Sequence, residues 1–582
     1  MKCGVRMTAW LVALVVLLSV SLGMTVPAAA AEQVFDAGTY EAAGDGYGGE
    51  VTVEVTVSED RIEDIRVEHA ETDAIGGSAI DGLIEFVLES QSLNTDAVSG
   101  ATLSSDAFLL ALEASLAEAG ADVEALKAKE TEARVVEDIE TDVVVIGAGG
   151  AGMSAAIEAA EAGKDVVVLE RMPIIGGNTN RATGGMNASE TSIQEEKDIE
   201  DSNEVYYQDS LDGGHGINDP DLLRTMVEHS AESLDLVNEL GAELNDVSFS
   251  GGATNSRIHK PLDGSAVGPI IVRVLAERLD ALNVPIHLES EAVALIEEDG
   301  RVTGVEVVTP EGETFTVTAK AVVIATGGFG ANMDMVKEYD ETKVGFGTTN
   351  HPGALGMGIT MAQEVGADTF QMEQIQIHPT TDPDSGYMFT EGLRGDGAIL
   401  INKEGKRFID ELETRDVVSA AILAETDGQA YVLVNQVLVD QNKSMRGYIE
   451  QGYATSGETL DDLAAALDMD PVVLQDTLDQ YNEAQASGSD TEFGRQNMTL
   501  PLDEGPYYVL LVTPSIHHTM GGLRINTNAE VLDKEGNPIP GLFAAGEVTG
   551  GVHGGNRIGG NAVTDIIVFG RIAGQKAAAA AD

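Results

Sequence analysis

The 582 residues contain one cysteine, Cys3. It lies in "MKCGVRMTAWLVALVVLLSVSLGMTVPAAAAEQ", where Lys2 and Arg6 precede an apolar stretch from Trp10 to Leu22 and a small-residue end. That is the order of a secretory signal peptide, so residues 1–31 are expected to be cleaved, after Ala31 or an alanine or two earlier. A single membrane anchor is the alternative. Beyond Ala31 cysteine is absent, which excludes disulfides, cysteine-ligated clusters and C-x-x-C-H haem attachment. Positive charge is also scarce: 33 Lys+Arg stand against 98 Asp+Glu, a net charge of -65. A nucleic-acid partner is excluded, because phosphate backbones need basic surfaces. The acidic excess runs through the whole chain and repels itself unless screened, which reads as salt adaptation. No twin-arginine pair precedes the apolar stretch, and no later run of 18 or more apolar residues is convincing.

What is present suggests about three or four domains. Residues 32–120 read as a small α+β module. "GGEVTVEVTVSEDRIEDIRVEHAET" alternates apolar and polar residues over a turn at "SEDR", predicting a β-hairpin. "SAIDGLIEFVLESQS" predicts a helix, and a second runs from about Ser105 to Glu118. Before it lies "NTDAVSGATLSSDAF", residues 94–108, which by residue type alone is a turn and a cap. Residues 121–139 read as a charged linker.

"TDVVVIGAGGAGMSAAIEAAEAGKDVVVLER" is a strand, a glycine turn, a small-residue helix and a second strand ending at Glu170. This is a dinucleotide-binding unit in full context. Gly147 allows the tight turn, Gly149 lets the backbone approach a pyrophosphate, and Gly152 allows close packing of helix on strand. Glu170, 23 positions after Gly147, can accept hydrogen bonds from a ribose. "TAKAVVIATGGFGAN" and "IPGLFAAGEVTGGVHGGNRIGGNAVTDIIVFGRIAGQKAAA" fit the same unit, so it closes through distant segments, 140–372 and 518–582. Residues 373–517 interrupt it as an inserted domain able to cover a site.

Four segments carry polar groups that a core would not choose: "IQIHPTTDPDSGYMFTEGLRG", "RFIDELETRDVVSA", "TPSIHHTMGG" and "GVHGGNRIGGNA". Arg394, Arg415 and Arg557 lie in them. Any one arginine fits a salt bridge to one of the many acidic residues. Three beside candidate histidines point to a carboxylate-bearing ligand. Zinc is a poor reading, since no tight ligand spacing accompanies the histidines. His351 and His553, beside glycines, fit shaping of a pocket, and His69 has no derivable role.

From about residue 140 onward the sequence resembles the soluble fumarate reductase flavoproteins, relatives of the succinate dehydrogenase flavoprotein. The motifs that carry it are "IGAGGAGMSAAIEA", "ATGGFGAN", "HPT...TEGLRG", "GKRFIDELETRD", "HHTMGG" and "HGGNRIGGNA". The resemblance implies an α/β fold: a Rossmann-like FAD-binding domain with an inserted α+β clamp domain, plus the small N-terminal α+β domain. "GGNTNRATGG" resembles the family's flavin-contacting loop, and its lack of histidine implies noncovalent FAD. Gly177, Asn178 and Gly185 are then cofactor residues, with Thr326 and Gly327 of "ATGG" and Gly546 and Glu547 of "AAGE". Arg415 resembles the proton donor, resupplied from solvent by Glu391 through Arg394. His518 and Arg557 resemble the grip on one substrate carboxylate, His378 and Thr390 the grip on the other, and Met388 an apolar wall.

The N-terminal module resembles the FMN-binding domain of membrane redox complexes, through "DAVSGAT", Asp96 to Thr102. That resemblance implies a covalent phosphoester between FMN and Thr102, made by a separate flavin transferase. The expected activity is exported, extracytoplasmic reduction of fumarate to succinate, with electrons passing from an outer donor to FMN to FAD. A membrane quinol dehydrogenase or an exported redox carrier fits as donor. The alternative substrate is another propenoate, such as urocanate or an aryl acrylate.

Overall fold

The computed structural model describes residues 35–71, 76–98, 101–129 and 136–582. The signal-peptide reading lies outside these residues, as do Ser99 and Gly100 of the DAVSGAT motif.

Three antiparallel strands, β1 (Gly38–Asp45), β2 (Glu50–Val57) and β3 (Ile62–Glu68), form the N-terminal sheet in that order. Val51, Val53, Val55 and Val57 of β2 are buried at every second position, the period of a strand with one covered face. Helix α1 (Ser78–Ser90) follows, and α2 (Thr102–Glu118) covers β1 and β2 with buried Phe108, Ala111, Leu112 and Leu116. Helix α2 begins at Thr102, three residues earlier than the sequence pattern predicts, so Thr102 is its first residue. Within the stretch read as linker, α3 (Val123–Lys127) is capped by Asp122 and buries Leu126 in this same core. Ile174, from the next domain, is buried there too and seats the module on its neighbour.

The second domain is built on β4 (Ile139–Ile146), α4 (Gly150–Glu161) and β5 (Val166–Leu169). Val143–Ile146 and Val166–Leu169 are wholly buried, as parallel strands covered on both faces must be. Strand Thr314–Ile324 pairs in parallel with β4, and Pro538–Ala544 pairs in parallel with its end at residues 322–324. The C-terminal helix Asn561–Ala580 packs on α4. Residues far apart in the chain thus close one sheet, as the sequence suggests.

The inserted domain has its own sheet, ordered 375–381, 507–519, 430–435 and 399–401. Strand Tyr507–Thr519 pairs first with 430–435 and then with 375–381. Its first half buries Leu510 and Val512 in the inserted core, and its end carries His517 and His518 to the nucleotide unit. The expected border at 517/518 therefore falls inside one continuous strand. Among the described residues no helix is long and apolar enough to cross a membrane.

Candidate active site

The turn after β4 is built around two glycines that tolerate no side chain. Gly147 has φ +106, and a Cβ there would sit 2.4 Å from the Ala325 carbonyl oxygen. A Cβ on Gly152 would sit 1.9 Å from the Gly147 carbonyl oxygen, so its absence lets α4 close on the turn. Beside Gly149 the space is open, with the nearest atom 3.8 Å away. The start of α4 therefore faces a free volume suited to a phosphate. Glu170 accepts hydrogen bonds from the Ala148 and Met172 amides, each at 2.9 Å, and burial pushes its carboxyl up. Asn178 donates to Asn350 at 2.7 Å and accepts from the His351 amide at 2.7 Å. Thr326 Oγ1 and His351 Nε2 are buried with no hydrogen-bond partner among the described residues. An open phosphate approach, an acidic group at the ribose end and orphaned polar atoms along the wall fit FAD.

Most of these residues line one cavity of about 890 Å³, whose far end is lined by the predicted substrate residues. His378, Met388, Thr390, Glu391, Arg394, Arg415, His518 and Arg557 all line it, as do Gly147, Gly149, Glu170, Gly177, Asn178, Gly185, Thr326, Gly327 and Glu547. Gly152 and Gly546 do not; they stand behind the wall, Gly546 with its Cβ position 2.9 Å from Ala151 Cβ.

Arg415, the first residue of helix Arg415–Ala424, donates from Nε to Glu391 Oε2 at 2.7 Å and from Nη1 to Gln376 Oε1 at 3.0 Å. Arg394 Nη2 lies 3.3 Å from the other Glu391 oxygen. The carboxylate thus stands between the two guanidiniums, and the group in contact with Arg415 is Glu391, where the resemblance implied Arg394. Arg394 cannot take that place because its Nη1 is held by the Glu411 carbonyl at 2.6 Å, and its own carbonyl by Arg495 at 2.6 Å. Burial raises the Glu391 carboxyl, but Arg415 and Arg394 prevail and hold it at about 2.

Near Arg415, Arg557 has a buried Nε without a hydrogen-bond partner among the described residues, and burial together with Arg415 lowers its guanidinium to about 9. His518 Nε2 is likewise buried and unpartnered, while its Nδ1 lies 3.6 Å from Glu547. Burial and the neighbouring arginines push His378 and His518 well below 6.5, which favours the neutral imidazole in both. A concentration of buried positive charge with free donors awaits an anion.

Thr102 and Leu103 also line this cavity, from the N-terminal module. Glu71 joins that wall together: its Oε1 accepts the Gly48 amide at 2.8 Å and its Oε2 the Ser104 hydroxyl at 2.5 Å. Thr102 is exposed at the first position of a 17-residue helix, which fits a phosphoester of FMN. His69 Nδ1 accepts the Glu71 amide at 3.2 Å, which gives that histidine a structural place.

Sequence reasoning passed over Gln376, which also donates to Asn556 at 2.6 Å and to the Arg557 carbonyl at 2.8 Å. It lies two residues before His378 in strand Ile375–Thr381, and that spacing on one strand face is the signal that could have found it. His517, its ring 5.0 Å from that of His378, and the buried Arg407–Glu411–Arg495 network behind Arg394 carried no such signal.

Across residues 142–563 the chain matches a family model described as FAD binding domain, and across 46–117 one described as FMN-binding domain. It is 41% identical over 531 residues to NADH:fumarate oxidoreductase of Klebsiella pneumoniae, covering 91% of this chain but only 57% of that longer protein. It is 39% identical over 555 residues to urocanate reductase of Eggerthella lenta, covering 92% of this chain and 91% of the other. The solved open conformation of a flavocytochrome c3 fumarate reductase aligns with TM-score 0.65 at 42% identity, over 76% of this chain and 79% of that one.

Proposed function

The chain belongs to the fumarate reductase flavoprotein family of FAD-dependent oxidoreductases and carries an FMN-binding domain, and from that premise we propose that it reduces the alkene of fumarate to succinate. The observation that carries this reading is the convergence of two carboxylate grips, His518 with Arg557 and His378 with Thr390, on the cavity that Arg415 faces. When bound and reduced, FAD would supply a hydride to one alkene carbon. Arg557 and His518 hold one carboxylate, and their unpartnered donors account for its affinity. His378 and Thr390 hold the other, and Met388 closes the apolar side. The two grips draw electron density from the alkene and favour hydride attack. Arg415 gives its proton to the neighbouring carbon, which with the hydride completes addition of two electrons and two hydrogens. Glu391 then passes a proton from solvent to Arg415, with Arg394 at its other carboxylate oxygen. Because the clamp brings Arg415 and His378 to face Arg557, closure shuts out water and strengthens each charge contact.

Thr102 would hold FMN as a phosphoester made by a flavin transferase, and FMN held there would supply electrons for the reduction of FAD. The donor is a membrane quinol dehydrogenase or an exported redox carrier, and the protein works outside the cytoplasm in a salty medium. Arg415→Ala is expected to lower reduction by reduced viologen by about 10² to 10⁴-fold while FAD remains bound. Near wild-type turnover would remove Arg415 from the role. The urocanate reductase relative, matched along nearly its whole length, supports a second reading in which the substrate is another propenoate.

A further inference from the structure

Between the Thr102 wall and the FAD cradle, part of the cavity is used by neither the nucleotide turn nor the carboxylate grips. Tyr47 from the β1–β2 turn, Tyr387 and Tyr453 from the clamp, and Arg181 from the loop after β5 line it. The Tyr47 and Tyr387 hydroxyls are 3.0 Å apart, so the N-terminal module touches the clamp here. Tyr47 is nonetheless 40% exposed. Tyr387 stacks on Tyr453 at 5.0 Å with planes 16° apart, and it meets Phe389 and Tyr448 edge-on. That packing fixes the ring. Glu71 bonds Gly48, next to Tyr47, and Ser104, two residues after Thr102, so Tyr47 and Thr102 are neighbours on one wall.

Arg181 completes the surround. Its side chain is exposed to the cavity and, among the described residues, donates only to the Thr349 carbonyl, at 3.2 Å. Among the described residues it forms no ion pair, in a chain where acidic residues outnumber basic ones 98 to 33. A free guanidinium beside fixed aromatic rings suits a planar heteroaromatic group that gains negative charge on reduction.

We propose that Tyr387 and Arg181, both outside the N-terminal module, join Tyr47 to form the seat of the flavin ring tethered at Thr102. The FMN site is then shared by three domains. The seat rests on the reading of Thr102 as the FMN anchor, and the test separates the two. The full-length protein is made with a flavin transferase, FMN attachment is read by intact mass, and the FMN and FAD midpoint potentials are resolved by spectroelectrochemistry. In Arg181→Gln the oxidised-to-reduced ratio of FMN at fixed potential is expected to rise about tenfold, about 30 mV for a two-electron couple. Arg181→Lys should restore most of that shift, and Tyr387→Ala should alter the FMN absorbance band while FMN stays attached. An FMN couple and spectrum unmoved in the loaded variants overturn the seat, and so does a shift confined to FAD. Wild-type protein without FMN on Thr102 overturns the anchor itself and the seat with it.

Discussion

Arg415 shares its guanidinium between a carboxylate on one side and the Gln376 amide oxygen on the other, and this fixes which face meets the substrate. The Glu391–Arg415 pair is nearly buried, and removing one partner of such a pair costs about 3–5 kcal/mol. Glu391 therefore serves stability as well as the proton supply proposed for it. Its folded-state pKa is depressed, so its share of stability is complete above 4.5 and is lost as pH falls toward about 2. His378 and His518, pushed well below 6.5, are already neutral in the free protein at neutral pH. A pH profile of kcat/KM should accordingly show no acid limb centred near 6.5; an inflection there would give one of these histidines a titrating role. At this scale the sequence was generous, because arginine is rare enough here for Arg394, Arg415 and Arg557 to stand out. It hid which of Glu391 and Arg394 touches Arg415, since the two are neighbours in sequence and Arg394 is anchored elsewhere by Glu411 and Arg495.

The β4–α4 turn and strand Tyr507–Thr519 place the chemistry. The turn is legible from residue type, because its glycines stand where a Cβ would meet backbone. Gly152→Ala is expected to force the helix off the turn at a cost on the order of 1–3 kcal/mol and to release FAD on gel filtration; a variant that keeps FAD and its melting temperature would contradict this role. Strand Tyr507–Thr519 was not legible as one piece. Its first half is apolar and its last residues are histidines and threonine, so composition suggested a border where the backbone runs on unbroken. The early start of α2 was hidden for a similar reason. "GATLSS" is a poor helix sequence, and Ala101 caps the helix with no side-chain hydrogen bond. Packing of Phe108 and Leu112 on the sheet holds a helix that local preference alone would start later.

Over the whole molecule, the net charge of -65 works against compactness, while the basic groups that matter are gathered inside one cavity. Repulsion between surface carboxylates reaches about 30 Å at 0.01 M salt and about 3 Å at 1 M. Thermal melts across that range should show stability rising with salt, and a flat response would contradict salt adaptation. The domain layout was readable because each unit keeps its own pattern: alternation in the N-terminal sheet, apolar runs in the parallel sheet, and a long insertion between. Contacts between units, such as Tyr47 with Tyr387 and Ile174 in the N-terminal core, left no trace in any local pattern. The central claim is that two carboxylate grips select a dicarboxylate. An unfilled second grip leaves buried donors unpaired, worth about 1–3 kcal/mol. The direct test is steady-state oxidation of reduced viologen with fumarate, urocanate, cinnamate and methacrylate in turn. The prediction is a kcat/KM for fumarate at least about tenfold above each of the others. Faster reduction of urocanate or cinnamate, with negligible turnover of fumarate, would contradict it.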